Sequence, residues 1–207
     1  LWDPGTGAPV GDPLTGHTDW VTGCAFGTRP DGTLLLATTS RDGTVRLWDP
    51  GTGAPVGDPL TGHTGQVTGC AFGTRPDGTL VLATTSWDRT VRLWDPGTGA
   101  PVGDPLTGHT NAVTGCAFGT RPDGTLLLAT TSYDATVRLW DPESGRQAGM
   151  VYLSPSRPTC LAWHDCVASV GCSDGVIALD LISVAQSSEP KRRSPFAETD
   201  GWAGPQR

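Results

Sequence analysis

An all-β architecture assembled from repeated antiparallel sheets is the fold class this sequence predicts, and three observations predict it. The 207 residues repeat with a period of 46: LWDPGTGAPVGDPLTGHT begins at Leu1, Leu47 and Leu93, and a shortened LWDP returns at Leu139. A fixed period of this length marks a repeat architecture in which each unit buries its apolar face against the next. Within each copy, short β-branched and apolar runs alternate with turn clusters at the spacing of an all-β chain. The 29 glycines and 18 prolines fall at fixed places inside each copy, so they punctuate turns and do not mark a low-complexity chain.

Taken in order, residues 20–26 (WVTGCAF) read as a first strand and RPDG at 29–32 as a turn. Residues 33–39 (TLLLATT) form a second strand, apolar enough that both of its faces must be buried. SRDG at 40–43 turns the chain into a third strand at 44–48 (TVRLW), where Val45 and Leu47 alternate with Arg46. DPGTG at 49–53 is another turn, and 54–60 (APVGDPL) is a fourth strand. Proline cannot donate to a ladder, so Pro55 and Pro59 place that strand at the outer edge. Four antiparallel strands per 46-residue unit, the last at an edge, describe the blade of a β-propeller. Residues 1–182 are therefore expected to hold three regular blades and one degenerate blade of a larger propeller. Since Leu1 aligns with the third strand, a stray outer strand precedes the first complete blade.

The fourth unit departs from the pattern, with Arg157-Pro158 in place of Gly-His and the Trp position falling near Asp180. Residues 183–207 are polar and rich in Ser, Pro and charge, and are expected to form a disordered tail. GHT at 16–18, SRDGTVRLWD at 40–49 and their copies closely resemble the WD-repeat (WD40) family, strongly over residues 1–153 and weakly over 154–182.

The resemblance implies a hydrogen-bonded network in each blade, joining the Gly-His histidine, a second-strand hydroxyl, the tight-turn aspartate and the tryptophan. The sets are His17, Thr38, Asp42 and Trp48; His63, Thr84, Asp88 and Trp94; and His109, Thr130, Asp134 and Trp140. A buried imidazole, carboxylate or indole N–H each costs free energy unless paired, which is the physical need such a network meets. The family also implies a non-enzymatic scaffold that binds a protein or peptide through one propeller face. With 13 Arg against one Lys and near-identical units, the chain looks like bacterial WD-repeat proteins whose propeller follows a signalling or ATPase domain.

Composition narrows the alternatives. The net charge of -7 argues against a nucleic-acid partner, because phosphate binding needs a basic face and the one basic cluster is Lys191-Arg192-Arg193. No apolar run is long enough to span a bilayer. Cys24, Cys70 and Cys116 are one position copied into successive buried strands, too far apart to pair, and unpaired thiols suit a reducing cytoplasm. The His-Asp-Thr groupings invite a hydrolase reading, but their repetition in every copy fits a structural network better. GCSDG at 171–175 matches a nucleophile-elbow pattern without the helix that must follow it. Cys160, His164, Cys166 and Cys172 lack the paired knuckle spacing of a zinc site. No catalytic residue, metal site or cofactor is assigned.

Three copies differ at five positions: Asp19/Gly65/Asn111, Trp20/Gln66/Ala112, Leu35/Val81/Leu127, Arg41/Trp87/Tyr133 and Gly43/Arg89/Ala135. In an up-and-down blade, the turn after the second strand and the link into the first lie at the same end, so all but the Leu35 set share one rim. Exposed turns at the opposite end, such as Thr28-Arg29 and Thr52, do not vary among the three copies. The candidate partner-binding residues are Asp19, Trp20, Arg41, Gln66, Trp87, Arg89, Asn111 and Tyr133, rich in the types that dominate interfaces. A purely structural spacer and a propeller enzyme are the competing readings. The open sheet edges also lead to an expectation of self-association.

Overall fold

The computed structural model of the chain describes residues 1–180 except 122, 150, 151, 155, 165, 166, 173 and 174; the expected tail, with Lys191, Arg192 and Arg193, lies outside the described residues. The first unit supplies β1 (Val21–Thr28), β2 (Leu34–Ser40) and β3 (Val45–Trp48). The second supplies β4 (Val67–Thr74), β5 (Leu80–Ser86) and β6 (Val91–Trp94), and the third β7 (Val113–Thr120), β8 (Leu126–Ser132) and β9 (Thr136–Asp141). Two short strands follow, β10 (Arg146–Gln147) and β11 (Tyr152–Leu153), both paired with β9. The degenerate unit still folds as a sheet, β12 (Pro158–His164), β13 (Val167–Cys172) and β14 (Gly175–Asp180). Every pairing is antiparallel and no helix forms among the described residues, an all-β arrangement consistent with a β-propeller.

The fourth strand is where the structure corrects the sequence reading. Residues 54–60 do not make a continuous strand; they touch β3 through two isolated bridges, Trp48 to Pro55 and Val45 to Leu60. Val56 N–H donates to the Leu47 carbonyl and Leu60 N–H to the Val45 carbonyl, so each end is tied down. Between them Gly57 adopts φ 70, a left-handed conformation that lifts Asp58 and Pro59 off the ladder. Pro55 is tolerated because its bridge to Trp48 is flanked by hydrogen bonds from Asp49 and Val56, and needs no donor of its own.

The sheets stack, and each core lies between neighbours. Leu35, Ala37, Val45 and Leu47 of the first sheet meet Val67, Leu82 and Trp94 of the second. Val81, Ala83, Val91 and Leu93 on the other face of that sheet meet Val113, Leu128 and Trp140 of the third. Ala129, Val137 and Leu139 then meet Val170 of the fourth, with Tyr152 standing where Leu60 and Leu106 stand in earlier units. The middle strand β5 is thus buried on both faces along its whole length.

A repeated joint locks the first strands together. Thr22 donates its hydroxyl to the Val67 carbonyl at 2.5 Å, Thr68 to Val113 at 2.6 Å and Thr114 to Pro158 at 3.0 Å. An aromatic ring from each unit also lies in a space left by a glycine of the unit before it. A Cβ at Gly27 would come within 2.7 Å of the Phe72 ring, one at Gly73 within 2.6 Å of the Phe118 ring, and one at Gly119 would overlap the Trp163 ring. The first sheet has no such predecessor: Phe26, Val21 and Leu34 are 54%, 57% and 50% exposed, whereas Val67 and Val113 are fully buried. That absence also explains Cys24, expected to be buried but found exposed, while the thiols of Cys70 and Cys116 lie against the Ala37 and Ala83 carbonyls of the preceding units.

Candidate functional site

Each regular unit builds the expected network with almost the same geometry. His17 Nδ1 lies 2.9 Å from Asp42 Oδ2 and its Nε2 2.9 Å from Thr38 Oγ1, which accepts the Trp48 indole N–H at 2.8 Å. The second unit gives 2.8, 2.9 and 2.9 Å for His63, Thr84, Asp88 and Trp94, and the third 2.9, 2.8 and 2.8 Å for His109, Thr130, Asp134 and Trp140. With a neutral imidazole protonated at Nδ1, every group is satisfied: Trp N–H to Thr, Thr O–H to His, His N–H to Asp. The aspartate gathers more donors than the sequence indicated, since Asp42 also accepts the Thr18 and Thr44 N–H groups and the Thr44 hydroxyl. Thr64, Thr110, Thr90 and Thr136 repeat those contacts, an arrangement for which the invariance of these threonines across copies is the only sequence signal.

Charge follows from this geometry. Burial alone would raise the Asp42 carboxyl, but hydrogen bonds from the Thr44 side chain, the Thr18 amide and His17 outweigh it and hold the group well below the usual carboxylate range. Asp88 is depressed in the same way, with His63 the largest of the opposing contributions. Asp134 falls to about 2, burial again being outweighed by Thr136, Thr110 and His109. Burial lowers His109 below its ordinary value despite the neighbouring Asp134. Protonating that ring would aim a second donor at Thr130 Oγ1, whose own proton would then lack an acceptor.

The spacing of hydroxyl, imidazole and carboxylate is that of a catalytic triad, but access is not. Thr84 and Thr130 are fully buried and each already takes an indole N–H. The arrangement braces the turn after the second strand. In the fourth unit, Cys172 packs on the core between the third and fourth sheets, whereas Cys160 is exposed; Cys166 lies outside the described residues. No group of three or more His, Cys, Asp or Glu able to hold a metal occurs among the described residues. No helix among them is long and apolar enough to cross a membrane.

The braced turns carry the variable rim. Arg41 N–H donates to the Trp20 carbonyl, Trp87 N–H to Gln66 and Tyr133 N–H to Ala112, so in each unit the variable turn and the link into the first strand are tied at one end. Neighbouring units meet there as well, because a Cβ at Gly43 would lie 3.6 Å from the Gly65 carbonyl. Trp20 is 71% and Trp87 56% exposed, and Asp19, Arg41, Arg89 and Asn111 are exposed. Gln66 and Tyr133 are partly covered, and Ala112 is buried. The Arg41 guanidinium stacks over Trp20, 4.6 Å from the ring centroid. Sequence reasoning missed two features here. Arg157 of the degenerate unit lies 5.7 Å over the Tyr133 ring. Arg89 and Ala135 keep φ of 70 and 63, the left-handed conformation that Gly43 takes without strain.

A search of curated protein sequences finds no match to this chain. Among solved structures, the crystal structure of the computationally designed Ika4 protein is similar, at 26% identity and a TM-score of 0.67, covering 83% of this chain and 99% of that one. The computationally designed Ika8 protein is similar at 26% identity and a TM-score of 0.63 over 80% of this chain, which spans 47% of the Ika8 chain. The family described as WD domain, G-beta repeat matches residues 8–49, 54–95 and 100–141, together more than half of the chain. With the Gly-His, Asp and Trp of every matched unit joined as described above, the chain belongs to the WD40 repeat family.

Proposed function

We propose that this chain is a non-enzymatic scaffold that binds a protein or peptide partner across the variable rim. The observation that carries the reading is the contrast between ends. Large exposed side chains change from unit to unit at the rim, above an invariant network, while the turn after the first strand, at the opposite end, is TRPDG in all three units. WD40 repeats generally mediate protein–protein interaction. Trp87→Ala and Arg41→Ala are expected to weaken partner binding by roughly 1–3 kcal/mol each, with little change in melting temperature, because hot-spot aromatics and arginines dominate interfaces. Arg29→Ala, at the opposite end, is the control. A partner whose affinity responds to Arg29 and not to the rim refutes the assignment, and a spacer without any partner yields no binding to measure.

In this reading the units are blades of a larger propeller, three regular and one degenerate, completed by self-association with a second copy. Similarity to an Ika8 chain about twice as long supports that extension. The unpaired thiols and the Arg-rich, Lys-poor composition support a bacterial, cytoplasmic protein, and service to a signalling or ATPase domain is an analogy to highly repetitive bacterial WD-repeat proteins.

A further inference from the structure

Each regular unit presents an aromatic ring on the rim with an arginine in or beside the same unit, but from different positions. In the first unit Trp20 comes from the link before β1 and Arg41 from the turn after β2. In the second, Trp87 and Arg89 are two residues apart in the turn after β5. In the third, Tyr133 comes from the turn after β8, and the arginine over it, Arg157, is lent by the degenerate unit from the link before β12. Copying one unit does not produce this, since the equivalents of Trp20 are Gln66 and Ala112 and those of Arg41 are Trp87 and Tyr133.

None of the three arginines forms an ion pair with a carboxylate among the described residues. The network aspartates nearby are committed to histidine, threonine and backbone amides. Asp19, the exposed rim carboxylate, accepts the Trp20 N–H. Among the described rim residues Arg41, Arg89 and Arg157 thus stand against one exposed carboxylate, in a chain whose net charge is -7. A guanidinium stacked on a ring keeps its N–H edge free for a planar anion, and the ring holds it in place. Arg89 occupies its turn at a positive φ that glycine adopts more easily, so the side chain is kept there against local preference.

We infer that the rim's partner is an acidic peptide segment, its carboxylates meeting Arg41, Arg89 and Arg157 and its apolar side chains lying on Trp20 and Trp87. This rests on the rim reading above and adds the chemistry of the occupant. The test immobilises the whole chain and selects a random phage-displayed library of peptides of about twelve residues. The expected result is enrichment of negatively charged sequences whose affinity drops about tenfold or more in the Arg41→Ala, Arg89→Ala double variant. Synthetic copies with glutamate replaced by glutamine should bind less well, and salt should weaken the acidic peptides selectively. An empty selection, or enrichment of neutral or basic peptides, overturns the inference. Peptides that lose affinity with Trp20→Ala and Trp87→Ala but ignore the arginine variants and salt overturn it while leaving the rim reading intact. Peptides that respond to Arg29→Ala and to no rim variant overturn both.

Discussion

Trp94, 1% exposed, is the residue on which the second network turns, because its indole N–H secures the hydroxyl that serves His63. Trp94→Ala is expected to cost about 3–5 kcal/mol, from the lost core volume and from Thr84 left short of a donor. Thermal melts check this against Arg29→Ala; Arg75 is a poorer reference, since it pairs with Glu143 at 2.9 Å. An equal shift in the two variants would mean that the indole is not part of the core. The same network fixes the acid response. Asp42, Asp88 and Asp134 sit below their ordinary 3.8, so the stability they give is present above that value and is lost as pH falls through their folded values. His109 sits below its ordinary 6.5, so its neutral form gives stability above 6.5 that is lost as pH falls toward its folded value. Both slopes have the same sign. The melting temperature should decline gently below 6.5 and steeply from 3.8 downward, and a level profile down to 3.8 would contradict the burial of His109. At Arg89 the direction reverses: Arg89→Gly relieves the positive φ and should stabilise the fold by about 1 kcal/mol, at the expense of partner binding.

Between elements, the joint of an aromatic ring over a glycine sets how closely sheets converge. Gly73→Ala places a methyl into the Phe118 ring and should destabilise by about 1–3 kcal/mol. A double-mutant cycle with Phe118→Ala isolates the contact; additive effects would show that the ring moves aside at no cost. This joint was not legible in the sequence, although both partners were in plain view, because a period of 46 copies them together without saying which unit a ring faces. β2 was legible, since an apolar run of that length between turns has no other way to be buried. So was the shared rim, which follows from the alternation of loops between the ends of a sheet. The break in the fourth strand was not, because prolines mark an edge but do not reveal that Gly57 leaves the ladder. The pairing of Arg157 with Tyr133 was hidden for a different reason: it crosses into the degenerate unit, where no repeat partner identifies the position.

At the scale of the whole molecule, the two ends of the stack are not equivalent. The first sheet offers Phe26 as a ring without a glycine to receive it, with Val21 and Leu34 of the same sheet also exposed. Their copies Val67, Leu80, Val113 and Leu126 are buried by the preceding sheet, so covering this face would recover burial that the fold already achieves twice. At the other end the sequence of the fourth sheet departs from the repeat. His164 pairs with Val167 in the register where Gly119 pairs with Leu127, so a histidine stands in the chain where the earlier units have glycine. Self-association through these two ends, giving a dimer of about eight units, is expected to be concentration-dependent. Light scattering over a dilution series should show a mass above that of the monomer at high concentration. Phe26→Ser should lower that mass, because it removes the ring that the exposed face offers to a second copy. A chain that stays strictly monomeric across the whole dilution series would mean that neither end is a docking surface for a second copy.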